Sequence, residues 1–288
     1  MKIGIVGLGL IGGSIAKDLK VLGHEILGHD RNDNHSSIAL ELGLISESLS
    51  LEDLSLRCEV IFVSIPVGHT GDAILELLSI KGSNNTIIDT ASTKLSICKK
   101  VLNHPERSRF VACHPLAGTE FSGPTAAINS LYKGKKNIIC EEHLSDERRL
   151  DTAIELMSQL GMQNIFMDPD QHDKHMAYVS HLSHVSAFAL STAVLNIEED
   201  QKQIFNLAST GFESTVRLAK SSPQTWSSIF VDNSDHLVTA LDSYILQLQE
   251  LKTAIQNKDE EALKNKIQAS NEIKRILTGM KHNVVRLS

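Results

Sequence analysis

The chain has 288 residues and a formal net charge of −7 at pH 7, a length that exceeds what one core usually fills and predicts two domains. The acidic balance argues against a nucleic-acid partner, whose footprint is a clustered basic excess, but leaves an anionic small-molecule substrate open because local Arg and Lys placement overrides the global sign. Cys58, Cys98, Cys113 and Cys140 form no C-x-x-C pair, so neither a disulfide framework nor a zinc knuckle is expected. With no cleavage-site pattern and no apolar stretch near the ~20 residues of a membrane span, the expectation is a cytoplasmic protein without a membrane partner.

The β-branched run Lys2–Val6 is followed by Gly7-Leu8-Gly9-Leu10-Ile11-Gly12 and then, over 14–22, by helical apolar spacing. In this strand–turn–helix pattern Gly7 permits the tight turn, Gly9 lets the backbone approach a pyrophosphate, and Gly12 lets the helix pack on the strand; Leu10 and Ile11 open the helix whose N-terminus faces the phosphates. Glu25-Ile26-Leu27-Gly28-His29-Asp30 reads as the second strand, ending about 20 positions past the glycines in a carboxylate placed to accept ribose hydroxyls. Asp30 therefore favours NAD over NADP, whereas Arg31 beside it could stack on adenine or pair with a phosphate.

Further strands are predicted at 60–65, 86–89, 110–113, 137–140 and 164–167, most separated by helix-compatible segments. The fold class is α/β, a Rossmann-type doubly wound parallel sheet over residues 1–168, followed by an all-helical substrate and dimerisation domain over 169–288. Ligands of such sheets sit beyond the carboxyl ends of the strands, a rule that puts Pro66, Ser92 and His114 on one rim. Asp89-Thr90-Ala91-Ser92-Thr93-Lys94 has two readings. Ser92 or Thr93 caps the next helix, or Ser92 bonds the reacting oxygen while Lys94 supplies positive charge. His114-Pro115-Leu116-Ala117-Gly118-Thr119-Glu120-Phe121-Ser122-Gly123 sets an imidazole, with an ordinary pKa of about 6.5, beside backbone-opening residues.

With these three motifs in this order, the chain resembles the prephenate/arogenate dehydrogenase family of tyrosine biosynthesis over nearly its whole length. The His-Pro-x-Ala-Gly-x-Glu-x-Ser-Gly run is the most specific of them. The resemblance implies that His114 is the catalytic histidine, Ser92 its hydrogen-bonding companion, and Glu120 a neighbour that orders the substrate pocket or its gate. It further implies NAD as cofactor and prephenate or arogenate as substrate.

From Asp168-Pro169-Asp170 the pattern turns helical. Residues 173–195 read as one buried helix, apolar at Met176, Val179, Leu182, Val185 and Phe188. His172 with His175, and His181 with His184, lie three apart and share a face, an arrangement open to a metal reading that no carboxylate or cysteine pattern accompanies. By resemblance, Ser180-His181-Leu182-Ser183-His184 matches the family's Ser-His-Leu-Pro-His segment, with Ser183 in place of proline and His184 contacting substrate. Gly211-Phe212-Glu213-Ser214-Thr215-Val216-Arg217 resembles the family's Gly-Phe-x-x-x-x-Arg segment, and the resemblance implies that Arg217 clamps a substrate carboxylate, a role suited to its rigid fork. Glu213 stands where relatives often carry a basic residue.

Ser222-Pro223 starts a helix whose apolar positions recur from Trp226 to Ile255. Unbroken, it would be about 50 Å long, overrunning a domain of this size and predicting an intertwined homodimer. Residues 259–280 read as a final amphipathic helix. The nearest rival class is a β-hydroxyacid dehydrogenase, which shares the two-domain plan but commonly relies on a helical-domain lysine not evident here. A non-catalytic dinucleotide sensor would leave Ser92, His114, His184 and Arg217 unexplained.

Overall fold

The computed structural model describes residues 1–201 and 209–285. Its first half alternates strands and helices: β1 Lys2–Val6, α1 Leu10–Val21, β2 Glu25–His29, α2 Asp33–Glu41, β3 Glu47–Ser48, α3 Leu51–Arg57, β4 Val60–Val63, α4 Val67–Ser79, β5 Thr86–Asp89, α5 Leu95–Val101, β6 Phe110–Pro115, β7 Lys136–Cys140, α6 Glu147–Gln159 and β8 Gln163–Phe166. One sheet has the order β3-β2-β1-β4-β5-β6-β7-β8. The order reverses beside β1, which pairs in parallel with both β2 and β4, and that reversal opens the crevice in which such sheets hold ligands.

The central strands bury both faces, so their side chains alternate between two cores. Val60 and Phe62 join one with Ile3, Ile5, Ile15 and Leu156, while Ile61 and Val63 join the other with Ile74, Leu77 and Ile87. A strand buried on both sides reads as a continuous apolar run, and each such side chain contributes roughly 1.5–3 kcal/mol by leaving water.

The sheet departs from a wholly parallel one at β7, which runs antiparallel to β6, with β8 parallel to β7. The physical reason lies in the connection over 116–135, which contains only a single 3₁₀ turn at Pro124–Ala126 where a crossover helix would be needed to return the chain. This connection lies over α1: the Ile128 amide donates to Ser14 Oγ at 3.0 Å, and the Tyr132 hydroxyl to the Ile11 carbonyl at 2.7 Å.

Helices start where capping chemistry allows. Asp168 accepts the amides of Asp170 and Gln171 ahead of α7, Pro169–Met176, and Pro169 occupies the first turn, where an amide donor is dispensable. A π-helical turn, Ala177–His181, joins α7 to α8, Leu182–Gln201. The run anticipated over 173–195 is therefore helical but carries this wider turn, and Val179, expected in the core, is 71% exposed.

α9, Thr210–Val216, leads into a 3₁₀ turn at Arg217–Lys220 and then α10, Pro223–Asp232, capped by Ser222. The long helix anticipated from Ser222 to Ile255 is broken at Asn233, which leaves the helical region at φ −105°, ψ 31°. Its side-chain amide is committed instead to the Asp173 carbonyl at 2.7 Å and to His181 Nδ1 at 3.1 Å. α11 then covers Ser234–Gln256, and the final helix is likewise two, α12 Glu260–Ser270 and α13 Glu272–Val285. The chain forms two compact units, Met1–Leu237 and Val238–Ser288. No described helix is long and apolar enough to cross a membrane.

Candidate active site

The strand ends around β1 shape a cleft of about 690 Å³ lined by Gly7, Gly9, Leu10, Ile11, Asp30, Arg31 and Pro66. Gly7 has φ +91°, a conformation that a side chain strains. At Gly9, by contrast, a Cβ would meet no protein atom within 4 Å and would occupy only the space above the turn. Gly12 does not line the cleft; a Cβ there would overlap the Gly7 carbonyl oxygen, so its task is to let α1 close on β1. The α1 N-terminus, with no side chain capping it, and this open backbone shelf fit a pyrophosphate.

At the far rim the Asp30 carboxylate is held by two backbone donors, Leu8 N at 2.8 Å and Asn32 N at 2.9 Å. His35 Nδ1 stands 3.4 Å from the same carboxylate and lines the cleft, a neighbour that the sequence did not single out. Phe121, Ser122 and Gly123 complete the lining, so the connection that follows the His114 strand reaches the nucleotide cleft. These residues fit a dinucleotide.

His114 lies near the carboxyl end of β6 and is 9% exposed. Lys94, expected to offer charge to substrate, turns inward and is wholly buried, its ammonium bonded to the Asp89 carboxylate and, at 2.7 Å, to the Cys113 carbonyl. Asp89 also accepts the Cys113 amide at 2.9 Å. The buried Asp89–Lys94 pair thus grips the backbone on both sides of Cys113 and fixes the strand that carries His114. Burial pushes the Cys113 and Cys140 thiols up to about 12, which removes them as nucleophiles.

The side chains that meet His114 come from elsewhere in the chain. Its Nδ1 lies 2.8 Å from His172 Nε2, and His172 Nδ1 lies 2.7 Å from Asp173 Oδ1. Asp173 in turn accepts the amides of Lys94 at 2.8 Å and Leu95 at 2.9 Å, so it caps α5, the place expected for Ser92 or Thr93. Ser92 sits half-buried in the 90–94 loop, and among the described residues no hydrogen bond joins it to His114. Burial, with the neighbouring His172 and Lys94, drives the His114 pKa well below its ordinary value. Burial also lowers His172, against the pull of Asp173. For Asp173 burial acts upward, but the bonds from His172 and the two amides outweigh it and hold the carboxyl down. His175, the other half of the anticipated pair, is exposed, while His172 is sealed.

His184 Nδ1 bonds the Ser180 carbonyl at 3.0 Å, and its ring stacks on Trp226 with centroids 3.3 Å apart. Arg217, more than half exposed, faces Glu120 at 3.7 Å. The sequence reading had His172 only as half of a pair open to a metal and Trp226 only as an apolar helix position, and it did not single out Asp173; the one local signal was the adjacency of His172 and Asp173.

A nucleotide cradle on one reach of a sheet, with a buried imidazole held on a strand of the same sheet, is an arrangement that suits a nucleotide-dependent dehydrogenase. The family models "Prephenate dehydrogenase, nucleotide-binding domain" and "Prephenate dehydrogenase, dimerization domain" match residues 15–166 and 168–269. The chain belongs to the prephenate dehydrogenase family. It is similar to the structure of A. aeolicus prephenate dehydrogenase in complex with hydroxyphenyl propionate and NAD+, at 32% identity and TM-score 0.86 over 96% of this chain and 98% of that one. Synechocystis arogenate dehydrogenase gives 28% and 0.75 over 96% and 100%. The prephenate dehydrogenase of Bacillus subtilis (strain 168) is 29% identical over 90% of this chain and 71% of its own length.

Proposed function

We propose that the protein catalyses the NAD-dependent oxidative decarboxylation of prephenate to 4-hydroxyphenylpyruvate, CO2 and NADH, a step of tyrosine biosynthesis. The observation that carries this reading is His114: a buried imidazole, held on β6, just before a connection whose residues line the nucleotide cleft. In this reading residues 1–168 hold the nucleotide and 169–288 supply substrate contacts and the dimer surface. NAD, held by Gly7, Gly9, Leu10, Ile11, Asp30 and Pro66, supplies a hydride acceptor. The fixed Asp30 carboxylate would repel a 2′-phosphate, which favours NAD over NADP.

His114 takes the proton of the ring hydroxyl as the carbon bearing it gives up a hydride. The resulting dienone sheds its ring carboxylate as CO2, the bonding pair completes the aromatic ring, and the phenolate oxygen that this leaves takes back the proton from His114. Ser92 bonds the same hydroxyl, Arg217 pairs with a substrate carboxylate in exchange for Glu120, and His184 contacts the substrate while braced by Trp226. Arogenate is the second reading, favoured by Glu213, an exposed carboxylate one helical turn from Arg217 that suits an ammonium.

A homodimer follows from the apolar side chains that the Val238–Ser288 unit leaves exposed, among them Ile245, Leu248, Ile255, Ile273 and Leu277. A stable monomer in sedimentation at micromolar protein would overturn that part. The test of the reaction is NADH absorbance with prephenate, arogenate and a panel of 3-hydroxy acids in turn. Turnover of prephenate or arogenate supports the reading, and turnover of a hydroxy acid alone replaces it.

A further inference from the structure

The pair His172–Asp173 is wholly buried beside His114, and no step described so far needs it. With His172 neutral, the form that burial favours, the pair's hydrogen bonds have one consistent direction. An ionised carboxylate is an acceptor and nothing else, and Asp173 receives three donors: the amides of Lys94 and Leu95, and His172 Nδ1. His172 Nδ1 must therefore carry the proton that it donates to Asp173. In a neutral imidazole the other nitrogen is then a bare acceptor, and His172 Nε2 faces His114 Nδ1 at 2.8 Å. The proton between the two rings thus belongs to His114 Nδ1. His114 Nε2 is left with its lone pair, and it is not among the side-chain atoms sealed without a partner.

We propose that His172 and Asp173 are positioning residues that lock His114 in the Nδ1–H tautomer, so that Nε2 is the nitrogen that takes the substrate proton. Orientation and tautomer are set together, because the two hydrogen bonds fix the plane of the His172 ring and His172 fixes that of His114, with the rings at 74° and centroids 5.0 Å apart. The anchoring is unusually direct: the carboxylate that orders the imidazoles also caps α5, whose first residues follow the loop bearing Ser92, and the Asn233 side chain secures the Asp173 carbonyl at 2.7 Å. A shift of Asp173 would therefore move His114 and the Ser92 loop together. In a Ser-His-Asp triad, a carboxylate holding the tautomer of a general base is worth about 10⁴-fold in kcat; here that influence passes through an intervening imidazole.

The inference rests on His114 being the base, but its first test needs no turnover and reads the tautomer in the wild-type protein. Nitrogen-15 resonances of histidine-labelled protein with NAD present, with the His114 signals identified by their loss in His114→Asn, report which ring nitrogen carries hydrogen. Protonated Nδ1 and bare Nε2 are expected; a bare Nδ1 in the wild-type protein overturns the proposal. Kinetics give the second test. His172→Gln retains an oxygen that can accept from His114, and His172→Leu does not. His172→Leu should lower kcat by about 10²-fold or more, leave KM for prephenate and for NAD within a factor of ~2, and shift the His114 signals towards the other tautomer. His172→Gln should recover most of the loss. Equal kcat in the Leu and Gln variants, with NAD affinity intact, overturns the relay. Wild-type turnover in His114→Asn would instead refute the base assignment, while the tautomer measurement stands by itself.

Discussion

The nucleotide cradle lies at the end of β1 and the histidine cluster joins β6 of the same sheet to α7, and the two are built by opposite means. The cradle is backbone chemistry: it needs an absent side chain at Gly9, a left-handed turn at Gly7 and a close approach at Gly12, all within six consecutive residues. The cluster is side-chain chemistry. His114, His172 and Asp173 are buried, and the separations spanned by their bonds reach 58 residues to His172 and 79 from Lys94 to Asp173. A cradle made of missing atoms stays open to solvent and ligand. A cluster made of polar atoms has to satisfy every donor internally, because an unpaired buried group costs about 1–3 kcal/mol.

Substitutions can sharpen that contrast. The largest effect is expected for His114→Asn, with kcat lower by about 10²–10⁴-fold, the usual contribution of a positioned base, and Kd for NAD unchanged by fluorescence titration. Near-wild-type turnover would break the assignment. Arg217→Ala should raise KM for prephenate about 10- to 100-fold, as expected for losing a hydrogen bond to a charged group worth ~1.5–3 kcal/mol; an unchanged KM removes it from the clamp.

Within the cradle, neighbouring glycines should respond differently. Gly9→Ala adds a methyl only to ligand space, so melting should be unaffected while Kd for NAD rises about tenfold, the equivalent of ~1.4 kcal/mol. Gly12→Ala places its methyl on the Gly7 carbonyl and should lower stability by about 1–3 kcal/mol, as overpacking does, visible in the thermal midpoint. If both variants bind and melt alike, the division between ligand shelf and helix contact fails.

The smallest effect is the pH response of the cluster. Burial lowers His181 to about 4 and depresses His114, His172 and His184 as well. An unfolded histidine titrates near ~6.5, so between these values the unfolded chain binds more protons than the folded one, and stability rises with pH. The contribution is complete above about 6.5 and is lost as the pH falls through the folded values. Urea midpoints that stay flat from neutral pH down to about 4.5 would show that the imidazoles are not buried in their neutral forms.

The sequence alone determined the α/β alternation, the glycine turn with its acidic partner at Asp30, and the motif around His114. Each is a local pattern of period, turn chemistry or capping, written in consecutive residues. It also marked the start of the helical half, since Asp168 and Pro169 suit a cap and a first-turn position and take them here. Where the pattern reading went astray, distant partners had intervened. Apolar spacing ran unbroken past Asn233, but the bonds of that side chain to Asp173 and His181 end one helix and begin another. Lys94 looked like a ligand for an anion, and only the fold revealed that Asp89 and the Cys113 carbonyl claim it inside the core. His172 read as sharing a helix face with His175, but the packing of α7 buried one ring and left the other in solvent. Periodicity says which residues share a face; it does not say what that face will meet, because a buried hydrogen-bond partner is chosen by three-dimensional proximity and carries no signature in the residues beside it.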